Sequence, residues 1–325
     1  MSQPGPVAGS GTLPSLPGRI LGIDAGGSGT RVIVLENGTV AARPDGPPMN
    51  ALLTHGLAGH LRQIIEAADA TAAGVGMPGV RQPGHARDLS ETLTRQTGRP
   101  VHVTGDADSA RAGAFLGAPG VVVIAGTGSM ASGWNGESSA RAGGHGFLLG
   151  DEGGAYWIGR AAVRAALRWE DGMDGGSARI HRAVIQAAGQ DLDALIGEVC
   201  THPAERARLT ALAPVVTALA AEDPEARSIA LRAAEHLAAL AEAIRRRLGP
   251  LPVAGAGRVF SAPVIWDRFA ELTGAARPLA AATVGAALLA GQQASAQGGQ
   301  PASQQASQRA RGALPPGPDR RAHRR

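Results

Sequence analysis

Two glycine-rich segments that carry hydroxyl side chains are the first candidates for chemistry. Residues 24–30 read Asp-Ala-Gly-Gly-Ser-Gly-Thr, and residues 126–129 read Gly-Thr-Gly-Ser after an apolar run. Glycines let main-chain N–H groups turn toward an anion, and hydroxyls add donors. An ordinary glycine-rich turn explains either segment alone. Together they predict a site for the phosphates of a nucleotide, formed by Gly26, Gly27, Ser28, Gly29, Thr30, Gly126, Thr127, Gly128 and Ser129.

The chain contains no lysine, which excludes the Gly-x-x-x-x-Gly-Lys-Ser/Thr phosphate loop. Asp24 stands at the start of the first glycine-rich segment. A carboxylate there could order water around Mg²⁺, a hard ion that keeps most of its hydration shell. The alternative is an aspartate that only caps the turn.

A second pair of carboxylates, Asp106 and Asp108, follows a predicted strand that ends at Thr104. A carboxylate at the carboxyl end of a strand can act as a general base, as phosphoryl transfer to a hydroxyl requires. Alternatively, Asp106 or Asp108 only caps a helix predicted over residues 109–114. The sequence leaves both readings open.

The densest signal covers residues 143–157, where Asp151 and Glu152 lie between glycines. Such a loop offers a carboxylate for sugar hydroxyls, main-chain N–H groups, and ring edges for a sugar face. His145 alone is more often structural, and Tyr156 with Trp157 more often belongs to a core.

The elements that must position these residues alternate between strands and helices. Residues 19–23 and 31–35 predict a hairpin around the first glycine-rich segment. Leucines and isoleucines at helical spacing predict a helix over 51–70, with Asn50 as its cap. Short strands at 75–77 and 101–104 flank a short helix at 89–96, an order typical of an α/β layer.

The strand, small-residue turn and returning strand occur again at 121–125 and 130–134. This repetition favours an α/β protein of two related lobes with a cleft between them. The remaining predicted elements are a mostly helical stretch at 155–248, a strand at 251–254 and a last helix at 281–291. The predicted division is an N-terminal segment 1–18, lobes at 19–115 and 116–292, and an Arg-rich tail at 293–325, both ends being disordered.

Charge and cysteine content narrow the function classes. The chain carries +4, of which +5 lies from Arg309 onward, so the body carries −1. No aromatic residue interleaves those arginines, which argues against a nucleic-acid partner. The single cysteine, Cys200, excludes an internal disulfide. Without an apolar run of about 20 residues or a signal peptide, we expect no membrane partner and a cytoplasmic location.

These motifs, in this order, resemble the N-acetylglucosamine kinase branch of the actin-like ATPase superfamily. The same grouping contains the BadF/BadG/BcrA/BcrD-type ATPases. The resemblance covers about residues 19–291. Its most specific part is Leu-Gly-Asp-Glu-Gly-Gly-Ala-Tyr-Trp-Ile-Gly at 149–159, supported by 24–30, 105–106 and 125–129.

The resemblance implies two ribonuclease-H-like lobes that close on ATP and a sugar, with Mg²⁺ and water near Asp24. Asp106 takes the place of the catalytic base, and the helix around Gly285 that of the closing inter-lobe helix. The implied adenosine loop is Gly255, Ala256 and Gly257. The implied sugar contacts are Asn50, Asp106, Thr127, His145, Gly146, Asp151 and Ala155.

Two departures qualify the resemblance. His145 stands where the family's sugar kinases commonly have tryptophan, so the sugar is undecided among N-acetylglucosamine, glucosamine, glucose and a muramic-acid derivative. Cys200 is alone, whereas members that activate dehydratases use paired cysteines for an iron–sulfur cluster. The favoured activity is phosphorylation of an amino sugar at its 6-hydroxyl. Sugar kinases of this type are commonly dimers, so a homodimer is compatible with the resemblance, but the sequence does not determine the oligomeric state. The alternatives are an ATPase that drives a partner protein and a sensor without turnover.

Overall fold

The computed structural model describes residues 13–14, 16, 18–26, 29–42, 45–46, 56–80, 83–201 and 206–298. Within these residues a first sheet has six strands in the order β3-β2-β1-β5-β6, with β4 paired to β2. The strands are β1 (Arg19–Gly26), β2 (Gly29–Glu36), β3 (Thr39–Ala42), β4 (Asp45–Gly46), β5 (Ala72–Met77) and β6 (Val101–Gly105).

The predicted hairpin is present in this sheet. Strands β1 and β2 pair antiparallel out to Gly26 and Gly29. Strands β1, β5 and β6 run parallel to one another. Their carboxyl ends therefore meet at one edge, the place where α/β sheets bind ligands.

Two amphipathic helices, α1 (Leu57–Ala67) and α2 (Pro83–Thr97), bury one face of the first sheet. The predicted helix start is wrong, because α1 begins after Gly56, whose φ of 107° does not fit a helix interior. Gly56 is therefore the N-cap of α1. Asn50, the predicted cap, lies outside the described residues.

The second sheet has the order β10-β7-β8-β9 in the described part of the chain. Its strands are β7 (Gly120–Ala125), β8 (Ser129–Trp134), β9 (Ser139–Gly143) and β10 (Val253–Ala256). The returning strand at 130–134 is confirmed as β8, which pairs antiparallel with β7. Strand β9 was not predicted, because Ser-Ala-Arg-Ala-Gly has little β propensity and is held by its pairing with β8.

The predicted helical stretch after residue 155 is confirmed, and its helices pack in one core with the second sheet. They are α4 (Ala155–Glu170), α5 (Ala178–Ala188), α6 (Leu192–Thr201), α7 (Arg206–Ala211), α8 (Ala213–Leu219) and α9 (Pro224–Leu248). A 3₁₀ helix (Arg258–Ser261) and α10 (Pro263–Thr273), neither of them predicted, follow β10.

Helix α3 (Asp106–Ala114) contacts strands of both sheets, whereas α11 (Ala282–Gly298) contacts the first sheet and α3. Glycines allow α11 to lie close to its neighbours, since a Cβ on Gly74 of β5 would come 1.9 Å from the Ala286 carbonyl oxygen. A Cβ on Gly285 would likewise come 1.9 Å from the Ser109 carbonyl oxygen of α3. The last helix thus packs on the first sheet and on α3. The lobe boundary at 115/116 stays a prediction.

Candidate functional site

Asp24 and Asp106 lie at the edge where the parallel strands of the first sheet end. Asp24 is opposite Gly76 of β5, and Gly76 is opposite Thr104 of β6. Asp106 follows Thr104 by two residues and begins α3. The two carboxylates are near enough for the charge of Asp106 to affect the ionisation of Asp24.

The surroundings of Asp24 disfavour its charged form. Burial raises the pKa of Asp24, Arg31 lowers it, and the neighbouring charge of Asp106 raises it. Arg31 offsets this only in part, because its Nη1 is 3.5 Å from the carboxylate and its side chain is 68% exposed. A bound cation would stabilise the ionised pair, so these residues fit a hydrated Mg²⁺.

Asp106 and Asp108 have different hydrogen-bond partners in the structure. Asp108 Oδ1 accepts a hydrogen bond from Ser132 Oγ at 2.9 Å, and its Oδ2 accepts one from Arg141. Asp106 Oδ1 accepts the neighbouring Ala107 N–H at 2.9 Å, and its side chain is half-buried. Both carboxylate oxygens of Asp108 are thus bound by side chains of the second sheet. The assignment of Asp106 as the base stays a prediction.

The second glycine-rich turn connects β7 to β8 and is joined to the start of α4. The carbonyls of Gly126 and Thr127 accept hydrogen bonds from the N–H groups of Ala155, at 2.8 Å, and Tyr156, at 3.0 Å. Ser129 Oγ donates to the Glu152 carbonyl at 2.6 Å. The turn and the Asp-Glu-Gly-Gly loop are thereby fixed to each other.

Asp151 lies against this turn in a left-handed conformation, with φ 62°. A Cβ on Gly128 would come 2.3 Å from one Asp151 carboxylate oxygen. A Cβ on Gly154 would come 2.8 Å from the Gly128 Cα. The two glycines thus permit the close approach that sets the Asp151 carboxylate beside the turn.

An open pocket of about 410 Å³ lies next to Asp151 and Thr127. Three lining residues, Thr127, Gly146 and Asp151, are among the predicted sugar contacts. Phe147 and Tyr156 also line it, and both belong to the segment 143–157 whose ring edges were expected to suit a sugar, although Tyr156 was assigned to the core. Ala207 and Thr210 were not predicted. Phe147 and Tyr156 also pack edge to face, with ring centroids 5.3 Å apart.

Several predicted residues have surroundings that bear on their roles. Thr30 is only 2% exposed, and the Ser129 hydroxyl is bonded to a carbonyl, which favours structural roles for both side chains. The Ala155 N–H is bonded to Gly126. His145 is exposed and is not among the pocket's lining residues. Gly27, Ser28 and Asn50 lie outside the described residues.

The predicted adenosine segment lies beside the second turn. Gly255 and Ala256 belong to β10, which pairs parallel with β7. A Cβ on Gly257 would come 2.2 Å from the Ala125 carbonyl oxygen, at the residue before the turn. Gly255 has a packing role as well, because a Cβ there would come 2.9 Å from the Trp266 ring. The adenosine role stays a prediction.

The two mixed sheets with their helices define the fold as that of the actin-like ATPases and ROK kinases. A structure from Chromobacterium violaceum, described as a candidate N-acetylglucosamine kinase, matches with a TM-score of 0.68 and 29% identity. The match covers 84% of this chain and 98% of that one. A ROK family glucokinase from Streptomyces griseus, 17% identical, matches with a TM-score of 0.56 over 85% of this chain and 100% of that one, which supports the fold alone.

The chain belongs to the BadF/BadG/BcrA/BcrD ATPase family, whose sequence profile matches residues 21–290. The N-acetylmuramic acid/N-acetylglucosamine kinase of Clostridium acetobutylicum is 34% identical over 167 residues, 46% of this chain and 53% of that protein. The N-acetyl-D-glucosamine kinase of Dictyostelium discoideum is 30% identical over 174 residues, 46% of this chain and 54% of that protein. The matched part thus spans about half the length of each relative.

Among the described residues, no helix is both long and apolar enough to cross a membrane.

Proposed function

We propose that the protein phosphorylates a hydroxyl of an amino sugar at the expense of ATP. N-acetylglucosamine, at its 6-hydroxyl, is the leading substrate, and glucosamine and N-acetylmuramic acid are the nearest alternatives. The family and the two kinases matched over about half their length support this choice.

The observation that carries the proposal is the position of Asp106. Asp106 is the first residue of α3 and lies at the carboxyl edge of the first sheet, near Asp24. The neighbouring carboxylate, that of Asp108, is bound by Ser132 and Arg141. Phosphoryl transfer is catalysed mainly by positioning and by electrostatic stabilisation, and a carboxylate accepts the proton of the attacking hydroxyl.

The pocket beside Asp151 and Thr127 is the proposed sugar site. A carboxylate and a hydroxyl there offer hydrogen bonds to sugar hydroxyls, and Phe147 offers an apolar ring. Its volume of about 410 Å³ is within the ordinary range for small-molecule sites, roughly 300–1,000 Å³.

The two glycine-rich turns are the proposed phosphate site. The proposed adenosine site is the segment from Gly255 to Gly257, which is supported by the close approach of Gly257 to Ala125, the residue before the second turn. Asp24 would hold hydrated Mg²⁺. When bound, this ion supplies positive charge that stabilises the charge developing on the phosphates.

In the proposed reaction Asp106 accepts the proton of the sugar hydroxyl as the hydroxyl oxygen forms its bond to the γ-phosphorus. The bond from that phosphorus to the β–γ bridging oxygen breaks, and ADP leaves with the bonding electron pair. Asp151 and Thr127 orient the sugar. Exclusion of water by the closed lobes limits transfer to water.

A coupled assay of ADP release over a panel of hexoses and amino sugars tests the proposal. We expect release to depend on an N-acetylated amino sugar and mass spectrometry to find a sugar monophosphate. ADP release that is indifferent to every sugar contradicts the proposal and favours an ATPase that drives a partner. Binding of ATP and sugar without release favours a sensor.

A further inference from the structure

A polar cluster joins α3 to the second sheet two residues after Asp106. In this cluster a single carboxylate, that of Asp108, is bound by Ser132 of β8 through one oxygen and by Arg141 of β9 through the other. Ser132 and Arg141 are direct cross-strand partners, so their side chains project from the same face of the sheet.

The guanidinium of Arg141 also lies against the residue before Asp106. A Cβ on Gly105 would come 2.7 Å from Arg141 Nη2, so glycine makes room for it. The main chain of Arg141 is bound in turn by α9, because Arg247 donates a hydrogen bond to the Arg141 carbonyl oxygen at 2.9 Å. The corner between β6 and α3 is therefore fixed by a strand of the second sheet.

The contact continues along the same face of α3. Arg111, one turn after Asp108, places its guanidinium 5.1 Å from the ring centroid of Trp134 on β8. Ala114, a further turn on, packs with Val122 of β7. Both Ser132 and Trp134 alternate along β8 with residues that face the other way. One face of α3 thus contacts β8 through Asp108 and Arg111, and β7 through Ala114.

Strand β8 begins at Ser129, the last residue of the second glycine-rich turn. Ser132 follows Ser129 by three positions, and Asp108 follows Asp106 by two. The proposed base and the proposed phosphate turn, which come from different sheets, are therefore linked through one short and rigid path.

We infer that Asp108, Ser132 and Arg141 are positioning residues, which set the Asp106 carboxylate relative to the turn at residues 126–129. The inference rests on the proposed function and adds residues to that site. Arg141 acts through Asp108 and the β6–α3 corner, so its loss misplaces Asp106 without removing a substrate contact. A misplacement of about 1 Å can lower turnover roughly a hundredfold.

The test is steady-state kinetics of Asp108→Asn, Arg141→Met and the double variant, with N-acetylglucosamine and ATP. We expect kcat to fall about 10-fold to 100-fold in each single variant, with both KM values within about threefold of the wild type. The double variant should be no slower than the slower single variant, because both changes break one network. Arg141→Lys should recover part of the lost kcat.

Arg268→Met is the matched control, since Arg268 also joins two elements through a partly exposed ion pair, to Glu235 at 3.2 Å, but belongs to α10. Its kcat should equal that of the wild type, even where its thermal midpoint changes as much as that of Arg141→Met. If Arg141→Met or Asp108→Asn does not fold, Ser132→Ala, which removes one hydroxyl, should still lower kcat about threefold or more.

Values of kcat within twofold of the wild type in the folded variants overturn the inference and leave the proposed function intact. The inference is also overturned if kcat falls in proportion to the loss of thermal stability in Arg268→Met, as it does in the variants of the cluster. A wild type without sugar-dependent ADP release contradicts the proposed function itself, and the inference falls with it.

Discussion

The Asp151 carboxylate lies against the Cα of Gly128, so closely that a methyl group on Gly128 would come 2.3 Å from a carboxylate oxygen. Asp151 belongs to the loop before α4, and Gly128 belongs to the turn between β7 and β8. The proposed sugar-binding carboxylate thus lies directly against the proposed phosphate turn.

Gly128→Ala should therefore displace Asp151. We expect kcat/KM for the sugar to fall at least about tenfold, since orientation of the acceptor is lost, whereas the KM for ATP should change less. Steady-state kinetics in both substrates measures this. Gly197→Ala in α6 is the control, because a Cβ at Gly197 meets open space. Equal kinetics for Gly128→Ala and Gly197→Ala would show that the contact is unimportant.

The ionisation of Asp24 should make stability depend on pH. Because burial and Asp106 raise its pKa in the folded state above the ordinary value of 3.8, the folded protein holds this proton more strongly than the unfolded chain. The contribution is therefore fully present below pH 3.8 and is lost as the pH rises through the raised pKa. Asp24→Asn should remove this dependence.

Thermal midpoints measured from pH 4 to pH 8, without nucleotide or Mg²⁺, test this assignment. We expect the midpoint of Asp24→Asn minus that of the wild type to increase with pH across the lower part of the range and then level off. A difference that does not change with pH, or that decreases as the pH rises, contradicts the assigned environment of Asp24.

The close contact of α11 with the first sheet should make Gly74 intolerant of a side chain. A Cβ there would come 1.9 Å from the backbone oxygen of Ala286, which cannot rotate away. We expect Gly74→Ala to lower the free energy of unfolding by about 1–3 kcal/mol, the usual cost of overpacking. Denaturant titration measures it, with Gly59→Ala on α1 as the control in open space.

Local signals were sufficient to predict much of the fold. The strand, glycine-rich turn and returning strand could be read twice because apolar runs bounded by glycines specify a hairpin within a few residues. Apolar residues at helical spacing likewise predicted the helical region that contains α9, and the pattern at 281–291 predicted α11. The membership of the family followed from the order of these motifs and is confirmed.

Features that depend on distant parts of the chain were not predictable. The start of α1 was misplaced for a local reason, since the leucine pattern continues across Gly56, whose backbone conformation does not fit a helix interior. The partners of Asp108 could not be predicted, because Ser132 and Arg141 come from strands of the other sheet. Ala207 and Thr210 reach the pocket from α7 with no motif to mark them.

The central claim is that the Asp106 carboxylate accepts the proton of the attacking sugar hydroxyl. Asp106→Asn keeps the size of the side chain and removes the base, so kcat should fall at least about a hundredfold, the usual contribution of a general base. Asp88→Asn is the control for the loss of one charge, because Asp88 is an exposed residue of α2, and this variant should retain the wild-type kcat.

The decisive measurement is the kcat of Asp106→Asn together with its dissociation constant for ATP, determined by calorimetry on the same preparation. We expect a loss of kcat of at least about a hundredfold with ATP affinity within about threefold of the wild type. A kcat close to that of the wild type would contradict the role of Asp106, because the proton would then be accepted elsewhere.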